Sequence, residues 1–248
     1  MNLIIERLNG TQYSFADYGI KTLDFVIDSP EPRISTEEGE GLDGYIDLGA
    51  TFGPRTMAGE FVLNAGTTDE FATARNAVFR LLMSRERFYL MDEREPNRRW
   101  LVRVSSRFSL EQIRHYGMFA VDFVSQSSYA ESVSETTDTF TTKTFRLWND
   151  GDVAIDPRQH RLKITFRGSS TDLRIQNVTT SDVWTFAGNS DIGRVIYLDG
   201  VRAMRNTTNI FRDTNRKLIT LAPGFNDFII GGTSGAFTIE FKYRSLYI

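Results

Sequence analysis

Apolar residues recur at every second position through most of this chain, and only one segment breaks to a helical spacing. Leu23, Phe25 and Ile27 alternate with Asp24, Val26 and Asp28; Trp100, Val102 and Val104 alternate with Leu101, Arg103 and Ser105; Phe119, Val121 and Phe123 repeat the pattern. Alternation of this kind places apolar side chains on one face of a strand, so most of the chain must be half-buried strands. The exception is Phe71, Ala74, Val78 and Leu82, with Phe79 and Leu81 beside them. That spacing gathers side chains on one face of a helix predicted over Asp69–Met83. Thr67 with Glu70 forms a capping-box pattern, and Asp69 and Glu70 put negative charge at the positive end of the helix dipole. The stripe is expected to pack on a sheet.

The sequence has 248 residues, enough for one large domain or two of about 120 residues each. Between Ser125 and Thr142 the composition turns to Ser, Thr, Glu and Asp, and such a stretch cannot bury enough surface to fold alone. The predicted organisation is therefore a first domain over 1–131, a linker over 132–142 and a second domain over 143–248. After the linker the helical spacing disappears. Leu162, Ile164 and Phe166, then Val195 and Tyr197, then Phe237, Ile239 and Phe241 form short alternating runs between Gly, Asn and Asp clusters, as in an all-β sandwich. The glycine run Gly231-Gly-Thr-Ser-Gly235 lacks the Lys-Ser/Thr and helix of a phosphate loop, and is predicted to be a hairpin turn.

Charged residues make up 25% of the chain and the net charge is −3, which suggests neither a global nucleic-acid affinity nor wholesale disorder. There is no cysteine, so disulfides and thiolate metal sites are excluded. Met1–Arg7 lacks the apolar run of a signal peptide, and no stretch approaches the roughly 20 apolar residues of a membrane span. His115 and His160 stand apart from each other, without metal spacing, and no G-x-S-x-G elbow is present. Asn149, Asp150, Asp152 and Asp156 cluster oxygens but lack the glycine and terminal glutamate of a calcium loop. Neither catalysis nor a cofactor is expected. Sugar binding is the better chemical alternative, because Trp148, Trp184 and Tyr197 lie in the all-β half; the simpler expectation is that these rings fill its core.

Residues 30–43 carry Glu31, Glu37, Glu38, Glu40 and Asp43 against the single base Arg33. This is expected to be a polar acidic loop or the tip of a long hairpin, and by itself a charge run is simplest read as a solvated face. Gly41–Arg55 is expected as a Gly-punctuated loop, with a strand over Met57–Leu63 leading into the helix.

The order of these segments resembles a known family. Gly41-Leu-Asp-Gly-Tyr-Ile-Asp-Leu-Gly49, Pro54-Arg55, a strand, the helix, Phe88-Tyr-Leu-Met-Asp92 with Pro96, and Phe123-Val-Ser-Gln-Ser-Ser-Tyr129 resemble the N-terminal domain of the phage distal tail protein family. Asn149-Asp-Gly151, Pro157, Leu162-Lys-Ile-Thr-Phe166, Ile196-Tyr-Leu-Asp199 and Leu221-Ala-Pro-Gly-Phe-Asn226 look like its C-terminal sandwich. Where members commonly show a Pro-Asp-Pro-Tyr-like segment, this chain has Ser127-Ser-Tyr129.

The resemblance implies a mainly β protein: an N-terminal β-sandwich with one flanking helix and a long hairpin, then a galectin-like all-β sandwich that frequently lacks a working sugar site. It implies a non-enzymatic virion protein, made in the host bacterial cytoplasm, that forms a homohexameric ring at the distal end of a long non-contractile tail. Its partners would be the tail tube protein, a tail-tip or fibre protein and a receptor-binding protein; DNA would pass through without being bound. Gly41, Asp43, Tyr45, Asp47, Pro54 and Arg55 are the expected subunit-interface residues, and Glu37, Glu38 and Glu40 the expected channel-facing ones. In a hexamer the acidic run would place about 30 carboxylates around the axis, a surface that repels phosphate.

Overall fold

A computed structural model describes residues 1–41 and 43–248; Leu42, part of the Gly41–Gly49 motif, lies outside the described residues. The chain divides into two compact units, Met1–Ala130 with Ile248, and Glu131–Tyr247. In chain order the first unit contains β1 (Leu3–Arg7), β2 (Gln12–Ser14), β3 (Ile20–Ile27), β4 (Pro32–Glu37), β5 (Ile46–Phe52), β6 (Arg55–Asn64), α1 (Phe71–Leu82), β7 (Phe88–Asp92), β8 (Arg98–Val104), β9 (Glu111–Ile113) and β10 (Tyr116–Ser125).

These strands pair antiparallel in the order β2-β1-β7-β8-β10-β6-β3. β10 pairs with β6 along its whole length but with β8 only at Phe123–Ser125, so the sheet turns a corner there. Strict alternation governs the two long strands. Met57, Phe61 and Leu63 of β6 and Phe119, Val121 and Phe123 of β10 point inward. Phe123 then meets Phe88 of β7 at 6.4 Å and Phe25 of β3 at 6.5 Å, which joins the two sides of the bent sheet through its core. The alternation fails in β3. A bulge between Thr22 and Asp24 turns Leu23 outward, 48% exposed, while Phe25 stays buried.

The helix covers less than the predicted Asp69–Met83. Thr67 and Glu70 exchange hydrogen bonds, Glu70 N–H to Thr67 Oγ1 at 3.3 Å and the Thr67 hydroxyl to Glu70 Oε2 at 2.9 Å, in the turn ahead of the first helical residue. Phe71, Val78, Leu81 and Leu82 are buried. Phe79 meets Phe108 edge-on (5.4 Å), Phe108 stacks on Phe119 (5.7 Å), and Phe119 lies tilted against Phe61 (5.2 Å), a run of rings that ties helix to sheet. At the other end of the helix the Arg7 guanidinium donates to the Leu81 carbonyl at 2.5 Å, which suits the negative pole of the helix.

The second half adds β11 (Ala130–Ser132), β12 (Thr136–Phe140), β13 (Thr144–Asn149), β14 (Leu162–Asn177), β15 (Asp182–Thr185), β16 (Asn189–Ser190), β17 (Val195–Asp199), β18 (Arg202–Arg205), β19 (Thr208–Asn209), β20 (Gly224–Tyr243) and β21 (Leu246–Tyr247). Two expectations need correction. Residues 132–142 are not a linker without structure: β12 pairs with the end of β20, from Thr136 opposite Tyr243 to Phe140 opposite Ile239. Nor is Gly231–Gly235 a hairpin turn. It lies inside β20, where Gly232 (φ 76°) and Gly235 (φ 82°) bend a strand that continues to Tyr243. β14 runs beside β20 from Leu162 opposite Tyr243 to Asn177 opposite Phe228, with register shifts at Gly168/Ser169 and Ser170/Arg174.

The core of this unit is aromatic and aliphatic: Phe166, Trp184, Phe186, Phe228, Phe237 and Phe241 are buried with Leu147, Ile164, Ile175 and Ile239. Trp184 fills the core as expected, at 2% exposure. Trp148 does not, at 50%.

Candidate subunit and channel interface

β4 and β5 form a two-stranded sheet of their own, with every residue exposed. The predicted Gly41–Arg55 loop is thus half strand. An apolar alternation at Ile46, Leu48, Ala50 and Phe52 was the signal for it. The register runs from Pro32 opposite Phe52 to Glu37 opposite Ile46, with an irregularity where Ser35 faces Gly49 and Thr36 faces Asp47, leaving Leu48 as the extra residue. Gly49 takes φ 114°, and its N–H bonds the Asp47 carboxylate at 2.8 Å, which explains why a glycine and an aspartate stand beside the bulge.

The hairpin is anchored at its root. Asp28 N–H bonds the Thr56 carbonyl at 3.0 Å and Gly53 N–H the Glu31 carbonyl at 2.8 Å. The Ser128 hydroxyl donates to the Gly53 carbonyl at 2.5 Å, and Tyr129 meets Phe52 edge-on at 6.5 Å. The Ser127-Ser-Tyr129 segment therefore clamps the base of the hairpin. Arg55 belongs to the same anchor and is withdrawn from the expected interface. It is 8% exposed, donates through Nε to the Asp28 carbonyl at 2.5 Å, and lies 5.0 Å over the Trp100 ring. Burial pulls its pKa down, opposed by the charges of Glu95 and Asp28.

Of the other expected residues, Gly41, Asp43, Tyr45, Asp47 and Pro54 are exposed, and so are Glu37, Glu38 and Glu40 at the end of the hairpin. The structure brings the acidic residues to one tip. Sequence reasoning missed the apolar set along the strands: Ile34 is 63% exposed, Ile46 47%, Leu48 58% and Phe52 45%, and Tyr45 reaches 65%. Two strands with no third strand beside them among the described residues are marginal in water. Their side chains form an exposed apolar patch beside the acidic tip.

Among the described residues no group of three or more His, Asp or Glu side chains is arranged to hold a metal ion, and no helix is long and apolar enough to cross a membrane. Asn149 is buried, and its side-chain N–H groups bond the carbonyls of Val153 and Ala222, so it braces a turn.

Residues 8–125 match the family described as phage tail protein RIFT-related domain. No curated protein sequence matches the chain. Among solved structures, the crystal structure of the SPP1 Dit (gp 19.1) protein, described as a paradigm of the hub adsorption apparatus in phages infecting Gram-positive bacteria, superposes with a TM-score of 0.74 at 15% identity, over 98% of each chain. At that identity the likeness is one of fold. A chain of the phage P2 baseplate in its activated conformation with Ca has a TM-score of 0.48 at 8% identity, over 98% of this chain and 97% of that one, too distant to support an argument. Residues 8–125 of the first unit thus match the phage tail protein RIFT-related domain, and the chain has the fold of the SPP1 Dit protein over nearly its whole length.

Proposed function

We propose that this chain is the hub subunit at the distal end of a phage tail, a non-enzymatic virion protein that closes into a homohexameric ring and joins the tail tube to the tail-tip or fibre apparatus. The observation that supports the reading is the β4–β5 hairpin, which offers apolar side chains and strand edges that the described residues leave uncovered. Docking on a neighbouring subunit would bury Ile34, Leu48 and Phe52 and pair an exposed edge, two gains that act together. Gly41, Asp43, Tyr45, Asp47 and Pro54 would meet the neighbour, while Glu37, Glu38 and Glu40 face the channel and keep DNA phosphates from adhering as the genome passes. The second unit would carry fibre or receptor-binding parts.

Light scattering and negative-stain imaging of the full chain, alone and with its tube protein, test this. A ring of six with a central hole is expected. A monomer at every concentration, with the tube protein present as well, would overturn it, and a ring with the acidic tips on its outer rim would overturn the channel role alone.

A further inference from the structure

The chain has three tryptophans. Trp100 and Trp184 are 6% and 2% exposed; Trp148, on β13, is 50% exposed, and its cross-strand partner Phe225 is 56% exposed. Pairing of β13 with the first arm of β20 sets Trp148 opposite Phe225, Arg146 opposite Asp227 and Thr144 opposite Ile229, all on the outward face. The indole is held in place. Its ring meets Phe225 at 4.5 Å and a 64° angle, it lies over Gly224, where a Cβ would come within 3.5 Å of it, and its N–H points to Asp150 Oδ1 at 3.4 Å. Tyr247 donates to the other Asp150 oxygen at 3.2 Å. Arg146 is neutralised by Asp227, at 2.7 Å, and packs 5.1 Å over the Phe225 ring.

Beside the indole opens a cleft of about 390 Å³, lined by Thr136, Asp138, Arg146, Trp148, Asp150 and Ser245. This lies in the ordinary size range of small-molecule sites. The Tyr243 hydroxyl donates to the Trp148 carbonyl at 2.7 Å and lies 3.2 Å from an Asp138 carboxylate oxygen. A carboxylate offers about four acceptor positions, so Asp138 and Asp150 both retain capacity for further O–H donors. The site therefore combines a fixed aromatic ring in water with acceptor groups at its rim. A pyranose ring has the matching surface, C–H groups on its face and O–H donors around its edge. Charge narrows the class further. Asp138, Asp150 and Asp227 outweigh Arg146, so the face would repel an anionic polymer or nucleic acid.

We propose that this face of the second unit binds a neutral saccharide, with one pyranose ring stacked on Trp148 and its hydroxyls donating to Asp150 and Asp138. The proposal does not depend on the ring reading.

The test is titration of the full chain with neutral oligosaccharides ending in glucose, galactose, N-acetylglucosamine or rhamnose, with polygalacturonate and heparin as anionic comparators, followed by tryptophan fluorescence and calorimetry. Because Trp148 is the exposed tryptophan, binding should change the emission. At least one neutral oligosaccharide should bind, Trp148→Ala should weaken it by about tenfold or more, Trp148→Phe should retain part of the affinity, and Asp150→Asn should weaken it without altering the melting temperature. If Trp148→Ala fails to fold, Trp148→Phe and Asp150→Asn carry the comparison. No binding by any neutral oligosaccharide, binding by the anionic polymers alone, or neutral binding unaffected by these substitutions in folded protein would overturn the proposal.

Discussion

The rings of Phe228 and Phe241 lie 4.9 Å apart, although both belong to the single strand β20. Fully extended, the residues would stand roughly 43 Å apart at about 3.3 Å per residue. The strand therefore doubles back on itself, and β14, paired with it at both ends, doubles back too. One two-stranded ribbon supplies both sides of the core, and Phe145 completes the cluster at 5.3 Å from Phe228 and 5.8 Å from Phe241. The bend falls where Gly232 takes φ 76° and approaches the backbone of its partner strand.

Gly232→Ala should be costly. A Cβ there would stand 2.4 Å from the Asp172 carbonyl oxygen and 2.5 Å from that of Thr171, in a backbone conformation that L residues avoid. Destabilisation of about 2–3 kcal/mol is expected by denaturant unfolding. Gly235 has a similar φ of 82° with open space around it, so Gly235→Ala should cost only about 1 kcal/mol. Equal losses at the two sites would mean that close strand approach is not what requires Gly232.

Asn226 should matter more than its size suggests. It is fully buried; its carbonyl oxygen accepts from Ala222 N–H at 2.8 Å and from the Asn177 side chain at 3.0 Å, and its own N–H groups bond the carbonyls of Ala222 at 2.9 Å and Gly224 at 3.1 Å. These bonds shape Leu221–Asn226. Asn226→Ala leaves buried groups without partners, and a loss of about 2–3 kcal/mol is expected. A change below about 0.5 kcal/mol in thermal or denaturant melts would show that water replaces the amide.

Acid should weaken the second unit in two stages. Burial lowers the pKa of His160, with Asp156 and Glu131 opposing. The unfolded chain then takes up this proton more readily than the folded one, so stability falls as the pH drops below about 6.5. The hydrogen bond from Arg158 holds the Asp156 carboxyl below its ordinary range, so its stabilising effect is complete above about pH 4 and is lost only as the pH falls through its lowered value. Melting temperatures from pH 8 to pH 5 should decline, and His160→Asn should flatten that slope. An unchanged slope in the variant would assign the acid sensitivity elsewhere.

Hairpin substitutions should separate folding from assembly. Ile34 and Leu48 are more than half exposed, so Ile34→Asp or Leu48→Glu should leave the melting temperature within about 1–2 °C of the parent, since surface changes stay within about 0.5 kcal/mol. Both should shift the particle mass measured by light scattering from a ring towards a monomer. Arg55→Ala should behave differently, lowering stability first, because its guanidinium bonds the Asp28 carbonyl and covers Trp100. Rings that persist with Leu48→Glu and Ile34→Asp combined would remove the hairpin from the interface.

What the amino-acid sequence determined by itself was local. The alternation in β6 and β10 dictates which residues face inward, the 71–82 stripe dictates the buried face of α1, and the acidic run of 37–43 dictates a charged tip wherever that segment ends up. Each depends on residues within one or two turns of chain. Tertiary structure alone decided the rest. Gly231–Gly235 reads locally as a turn, and only the continuous partner β14 makes it a bend within one strand. Thr136–Phe140 looks too polar to fold, yet backbone pairing to β20 orders it, and backbone bonds leave no imprint in side-chain pattern. Trp148 and Trp184 both stand in strand-like runs, but strand pairing and register put one in water and the other in the core. Arg55 became an anchor because Trp100, distant in sequence, arrives beneath it. Contacts between residues far apart in sequence are settled when strands pair, and no periodicity within a segment records them.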